Sequence, residues 1–245
     1  MSESLHKSKV ATLDPGALDD PNSRGPNRTE DEIYDLLTRA IITKQIRPGG
    51  RIREAVLAAE FGVSRARVRR VLQRLADLDV VEFRLNFGAL VSRPSPEESR
   101  AVFHTRRVLE AEAVRAAVQR NNPAKLLVLQ RLVEREAEAF ESAVPGLTAI
   151  SSGFHIAIGE MCGNSVLAKM LNQLIHRCVL IQTLYERPNQ KTICLVGEHA
   201  RIVSLMMQKN VADAVAEMER HLHHIEESLD YSGAPLDRRL AASLG

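Results

Sequence analysis

The stretch Gly62–Leu75, GVSRARVRRVLQRL, constrains the fold more than any other part of the chain. It carries five arginines and no acidic residue. Val68, Val71, Leu72 and Leu75 recur within it at three- and four-residue spacing, with Leu78 continuing the row. The segment therefore reads as a helix over Arg65–Leu78, with one apolar stripe and one cationic face. Gly62 suits the end of a preceding helix, and Ser64 suits the N-cap of the new one. Such a helix anchors to a small core on one side and presents guanidinium groups to an anion on the other.

The neighbouring segments supply that core. Thr29 is a good N-cap, and Glu30, Asp31 and Glu32 fill a first turn where the helix dipole favours acids. Ile33, Leu36, Leu37, Ala40 and Ile41 then recur at helical spacing until Arg47-Pro48-Gly49-Gly50 makes a turn. Ala55–Phe61 reads as a short second helix. Val80–Leu85 and Ala89–Ser92 flank Asn86-Phe87-Gly88 as a hairpin. Helix, helix, tight turn, helix and hairpin over residues 29–93 is the order of a winged helix-turn-helix, a DNA-binding unit.

Charge follows the same division. Residues 29–93 carry twelve basic against nine acidic side chains, whereas residues 94–245 carry seventeen against eighteen. The positive excess thus sits in the small unit, as expected of an anion-binding module on a larger, nearly neutral body. Residues 1–28, with four charges of each sign and Pro15, Gly16, Pro21, Gly25 and Pro26, read as a disordered arm without a basic clamp.

Pro94-Ser95-Pro96 marks a linker, placed at 94–98. Beyond it the pattern is helical: Pro96–Arg120, Pro123–Ser142, Leu147–Cys162, Val166–Arg187, Lys191–Gln208 and Val211–Leu229. Short loops such as Asn121-Asn122, Pro145-Gly146, Gly163-Asn164 and Pro188-Asn189 separate them. Residues 99–232 therefore read as an all-helical bundle of six or seven helices, and 233–245 as a loose tail. The expected fold is mainly α, a winged helix-turn-helix followed by that bundle. A hydrophobic content of 44% with 26% charged residues is that of a soluble globule. No apolar run reaches the roughly 20 residues that span a bilayer, and MSESLHKSKVATLDPG lacks the apolar core of a signal peptide. Cys162, Cys178 and Cys194 have no metal-like spacing and fit free thiols in a reducing cytoplasm.

Histidines give the bundle its chemical signal. His155, His199 and His221 lie on three different predicted helices, and imidazole is a good ligand for Zn²⁺ or Ni²⁺. Their separations define no short motif, so both a metal site and ordinary core histidines stay open on spacing alone. His223 and His224 read as solvated. Glu110 and Glu160 read as residues of helix faces. A metal-bound water at three histidines could in principle make the bundle a hydrolase, but there is no nucleophile elbow, P-loop or dinucleotide motif, and the chain is not expected to be an enzyme.

The segment PGGRIREAVLAAEFGVSRARVRRVLQRLADLDVV followed by NFGALVSRPSPEE resembles the DNA-binding domain of GntR-family transcriptional regulators. Pro48-Gly49, Leu57-Ala58, Gly62-Val63-Ser64-Arg65, Val68-Arg69 and Gly88 carry the match. The resemblance implies that Ser64, Arg65 and Arg69 contact double-stranded operator DNA and that Gly88 lets the wing approach it, with Arg53 in the same set. Arg67 stands where the family usually has Pro, Arg70 where it has Glu, and Asp79 where it has Gly. The two extra arginines add phosphate affinity.

The bundle is similar to the ligand-binding FCD domain of the FadR-type branch. Arg106-x-x-Leu109-Glu110, Phe154-His155, Gly163-Asn164, Glu198-His199 and His221-Leu222 match its motifs. That likeness implies a cytoplasmic homodimer whose bundle binds a divalent metal through His155, His199 and His221 and a small organic acid near Arg106, with Ser151 and Asn164 beside it. The branch has an Asp four residues before His155, and here that position is Ser151. Either water or an effector carboxylate completes a three-histidine site, or the histidines bind an anionic effector without metal. Repression relieved by effector is the expected mode.

Overall fold

The computed structural model describes residues 28–142, 147–187 and 196–232. The arm expected over 1–28 lies outside these residues except for Arg28. The tail at 233–245, Cys194 and the start of the helix expected from Lys191 lie outside them altogether. The chain divides into two compact units, with the boundary after Arg93.

The first unit runs α1 (Glu30–Ile42), β1 (Arg51–Ile52), α2 (Glu54–Glu60), α3 (Arg65–Ala76), β2 (Val81–Arg84) and β3 (Gly88–Val91). Thr29 and Glu32 close a capping box at the start of α1, so two otherwise orphaned backbone N–H groups are satisfied. α1 ends at Ile42, earlier than the Arg47 turn suggests. Thr43 Oγ1 donates back to the Arg39 carbonyl, and Lys44 turns left-handed. Ile33, Leu37, Val68, Val71, Leu72 and Leu75 are all buried between α1 and α3.

The hairpin is part of a three-stranded antiparallel sheet in the order β1-β3-β2. Arg51 faces Leu90 and Val81 faces Val91 across β3. Asp79, at the position where the family resemblance puts glycine, takes a φ of 56°, in the left-handed region that short polar residues tolerate best after glycine. The conformation is therefore kept although the residue has changed.

The second unit holds α4 (Pro96–Arg120), α5 (Pro123–Glu141), α6 (Leu147–Met161), α7 (Ser165–Tyr185), α8 (Val196–Met207) and α9 (Val211–Glu227). Ser95 caps α4 and Pro96 fits its first turn, so only Pro94 and Ser95 remain of the linker expected at 94–98. α4 packs against α6, α7 and α9, and α5 packs against α6 and α8. Val179–Thr183 of α7 are all buried, so this helix is enclosed around its whole circumference there. The core of the bundle is apolar, from Phe103, Val114 and Leu129 to Ile158, Leu171, Ile202 and Leu222. A polar island interrupts it: Arg106, Glu110, Glu136, Ser151, His155, His199 and His221 are buried as well.

Candidate functional site

In the first unit, α3 carries the candidate DNA-contacting residues. Ser64 Oγ accepts the backbone N–H of Arg67 at 3.2 Å, which satisfies one donor of the first turn and leaves the hydroxyl hydrogen available to a phosphate. Arg65 and Arg69 are exposed on the outer face. Arg69 lies over the Phe83 ring at 5.7 Å and 3.9 Å from Glu54.

The other arginines of α3 turn towards α1. Arg67 donates to the Arg28 carbonyl at 3.0 Å. Arg70 donates to Glu30 through Nε at 2.7 Å and lies 2.6 Å from it through Nη2. Arg74 pairs with Asp31 at 2.8 Å and stacks over Tyr34. Arg53 is exposed just before α2 and makes no side-chain cap. Gly88 opens β3 with a φ of +76°, and no atom lies within 4 Å of where a Cβ would sit. Its backbone conformation, rather than crowding, calls for glycine. Leu85 and Phe87 stand exposed at the tip of the same hairpin.

In the second unit, five helices build one centre. α4 contributes Arg106 and Glu110 one turn apart, α6 contributes Ser151 and His155 one turn apart, and α9 contributes His221. α5 contributes Glu136, and α8 contributes Glu198 and His199. Each imidazole is gripped through Nδ1 by a carboxylate: His155 by Glu110 at 2.7 Å, His199 by Glu136 at 2.6 Å and His221 by Glu198 at 2.8 Å. Phe154 stacks on His199 with ring centroids 4.2 Å apart.

The opposite nitrogens converge. His221 Nε2 is 2.9 Å from His199 Nε2 and 3.3 Å from His155 Nε2, and one ligand atom from each of the three residues lies within 4.8 Å of the others. Ionised carboxylates only accept hydrogen bonds, so each Nδ1 that faces one carries its proton, and wherever the ring is neutral its Nε2 presents a lone pair.

Electrostatics favour this protonation pattern. Burial opposes ionisation of Glu110, but the Arg106 guanidinium and His155 outweigh it and hold the carboxyl at about 2. Burial pushes His155 down to about 3 against the pull of Glu110, and His221 down to about 4 against the hydrogen bond to Glu198. Burial would raise Glu198, yet hydrogen bonds from His221 and His224 bring it below its ordinary value. Two or three lone pairs facing one another at about 3 Å repel unless a cation lies between them. Nitrogen donors held about 2.0–2.1 Å from one ion stand roughly 3.0–3.4 Å apart. The donor set and the two separations through His221 therefore fit a divalent ion such as Zn²⁺ or Ni²⁺.

A small cleft opens beside His155. Arg106, Thr148, Ser151, Ser152 and Gln182 give its polar lining, and Ile175 and Val179 its apolar wall. Arg106 is 2% exposed and bonds Glu110 through Nε at 2.5 Å, while its Nη2 has no hydrogen-bond partner. A buried guanidinium N–H without a partner is costly and suits an anionic ligand. Ser151 lines this pocket. Asn164 does not; its side chain caps α7 by accepting from Val166 N and Leu167 N, both at 3.1 Å.

Glu110 is not a residue of a helix face, because the same fully buried carboxylate receives both Arg106 and His155. Nor is His224 simply solvated, because it holds the second oxygen of Glu198 at 2.7 Å. Glu136 was not among the sequence candidates.

Comparison with known proteins matches both units. The model of bacterial regulatory proteins of the gntR family covers residues 29–91, and the FCD domain model covers residues 101–224. The HTH-type transcriptional regulator YdhC of Bacillus subtilis is 24% identical over 205 residues, 82% of this chain and 90% of that protein. The HTH-type transcriptional repressor RspR of Escherichia coli is 24% identical over 203 residues, 81% of this chain and 87% of that protein. A solved regulator of the GntR type from Rhodococcus sp. RHA1 shares the fold, with a TM-score of 0.69 at 21% identity over 81% of this chain and 95% of that one. Among the described residues no helix is long and apolar enough to cross a membrane.

Proposed function

The chain belongs to the gntR family of bacterial regulatory proteins, in the branch with an FCD domain, and is a transcriptional regulator rather than an enzyme; from that premise we propose that it is a dimeric repressor released from its operator by a small carboxylate bound at a metal in the bundle. The observation that carries this reading is the convergence of three imidazole lone pairs beside a buried guanidinium with an unpartnered N–H. His155, His199 and His221 would hold the ion, and the ion would offer a carboxylate its Lewis acidity. Arg106 would orient the ligand through Nη2, and Ser151 would contribute a hydroxyl from the same wall. Three carboxylates pressed around the imidazoles argue against an anion binding the histidines directly, because without a cation the field there is negative.

In the first unit, the N-terminal turn of α3 would enter the major groove. Ser64, Arg65 and Arg69 would make the closest contacts, Arg53, Arg67 and Arg70 would reach phosphates, and the hairpin with Gly88 would lie along the neighbouring groove. Two heads in a homodimer would read two half-sites. Effector binding would shift the population of DNA-competent dimers, which requires that the effector bind the two states unequally. Blocking a promoter then needs no further contact, and a repressor among the relatives is consistent with that sign.

The test uses purified dimer and a DNA site selected by the protein from random sequence. Stoichiometric Zn²⁺ or Ni²⁺ in the parent, and its loss in His155→Ala, His199→Ala and His221→Ala, are expected. Small dicarboxylates and hydroxy acids should then raise the melting temperature and release the DNA only in the metal-loaded form. A parent without metal that still responds to acids would replace this reading with direct anion binding.

A further inference from the structure

Three carboxylates hold the outer nitrogens of the three imidazoles, and each comes from a different helix: Glu110 from α4, Glu136 from α5 and Glu198 from α8. Glu110 also carries Arg106, so part of its charge is answered within the cluster. Glu136 is 1% exposed, at a position of α5 that otherwise faces the core with Leu129, Val133 and Ala139. An ionisable side chain is seldom placed there unless it is hydrogen-bonded to a specific group. Its carboxylate meets His199 at 2.6 Å. Glu198 divides its two oxygens between His221 and His224.

We propose that Glu136 and Glu198 are positioning residues for the metal, and that they supply from behind the imidazoles the negative charge that Ser151 does not bring to the ion directly. This rests on the three-histidine metal reading above. A carboxylate that accepts the Nδ1–H fixes the tautomer, aims the ring and raises the electron density at Nε2. With three such pairs the neutral imidazoles act as stronger donors, and the field at their meeting point is set for a cation. Without the ion the same groups are in conflict: lone pairs face one another and buried carboxylates crowd around them. The carboxylates therefore favour the loaded protein more than the empty one. A purely structural hydrogen bond would instead stabilise both forms alike.

Glu136→Gln and Glu198→Gln keep an oxygen that can accept from Nδ1 but remove the charge. Zn²⁺ affinity is measured on the full chain by competition with a chromophoric chelator, and the Co²⁺-substituted protein is followed by its visible absorption bands. Each substitution is expected to weaken Zn²⁺ binding about 10- to 100-fold and to shift the Co²⁺ bands. The metal-free variants should lose less stability against the metal-free parent than the loaded variants lose against the loaded parent. Glu134→Gln, an exposed substitution on the same helix, should change nothing. Unchanged Zn²⁺ affinity in both variants, or a lower melting temperature of the empty form with unchanged affinity, overturns the proposal. Should Glu136→Gln not fold, Glu198→Gln decides alone, since Glu198 is partly exposed. A parent that binds no Zn²⁺, Ni²⁺ or Co²⁺ would instead overturn the metal reading itself.

Discussion

The two units use arginine in opposite ways. On α3 of the first unit Arg69 keeps 69% of its side chain exposed, and the apolar stripe beneath it holds the helix without help from the charge. On α4 of the second unit Arg106 is among the largest fully buried side chains of the described residues, and its pair with Glu110 lies inside the core. An exposed guanidinium row over a complete core points outward, to a partner that arrives with its own negative charge. A buried guanidinium, paired on one edge and unpartnered on another, points inward, to a small ligand that must displace little. In the proposed function the same residue type thus serves a macromolecular partner in one unit and a metabolite in the other, and burial is what would tell them apart.

The strongest test of that contrast removes Glu110. Glu110→Ala leaves Arg106 charged and buried without its partner, which is expected to cost about 3–5 kcal/mol in chemical denaturation. The pH dependence has a definite sign. Glu110 titrates at about 2 in the folded protein against 4.5 ordinarily, so the unfolded chain takes up the proton first. The difference between parent and variant should be full above pH 4.5 and fade as pH falls towards 2. A difference under about 1 kcal/mol at pH 7 would mean that water reaches Arg106 and that the contrast with α3 is only one of degree.

Arg69→Ala probes the other side. Loss of an exposed arginine should change stability by less than about 0.5 kcal/mol, while a groove contact is worth about 1–3 kcal/mol, roughly 10- to 100-fold in DNA affinity. Fluorescence anisotropy with the selected site and with random DNA separates the outcomes. Equal loss on both would assign Arg69 to phosphate rather than to a base, and no loss on either would remove α3 from the groove.

The exposed chemistry was legible in the sequence, and the buried chemistry only in part. The stripe and caps of α3 can be read from Ser64 to Leu75 because local spacing determines them. The three histidines could be named as candidate ligands from residue type and predicted helix alone, but spacing left their meeting open, since three separate helices had to pack before they met. Glu136 left one trace, a glutamate in the row Leu126, Leu129, Val133, Glu136, Ala139, where an amphipathic helix would carry an apolar residue; in VEREAEAF it looks like one acid among several. The strand Arg51-Ile52 was invisible because two residues show no alternation and form a strand only by pairing with β3. Asn164 shows the reverse case. A motif residue beside a glycine suggested a ligand contact, and its side chain instead completes a helix end.

The smallest effect concerns Arg70, which stands between the two behaviours. It is exposed like Arg69, yet two of its nitrogens are turned to Glu30. An exposed ion pair is worth about 0–1 kcal/mol, whereas a phosphate contact releases counterions and steepens the salt dependence of binding. Arg70 is therefore expected to leave Glu30 when DNA is present. Arg70→Ala should lower affinity uniformly across sequences and reduce the slope of log affinity against log salt by about 1. Glu30→Gln removes the competitor and should tighten binding about two- to fivefold at low salt, an advantage that shrinks as salt screens both interactions. If neither substitution moves the affinity or the slope, Arg70 belongs to the fold of the head, and the outward-facing arginines of α3 reduce to Arg65 and Arg69.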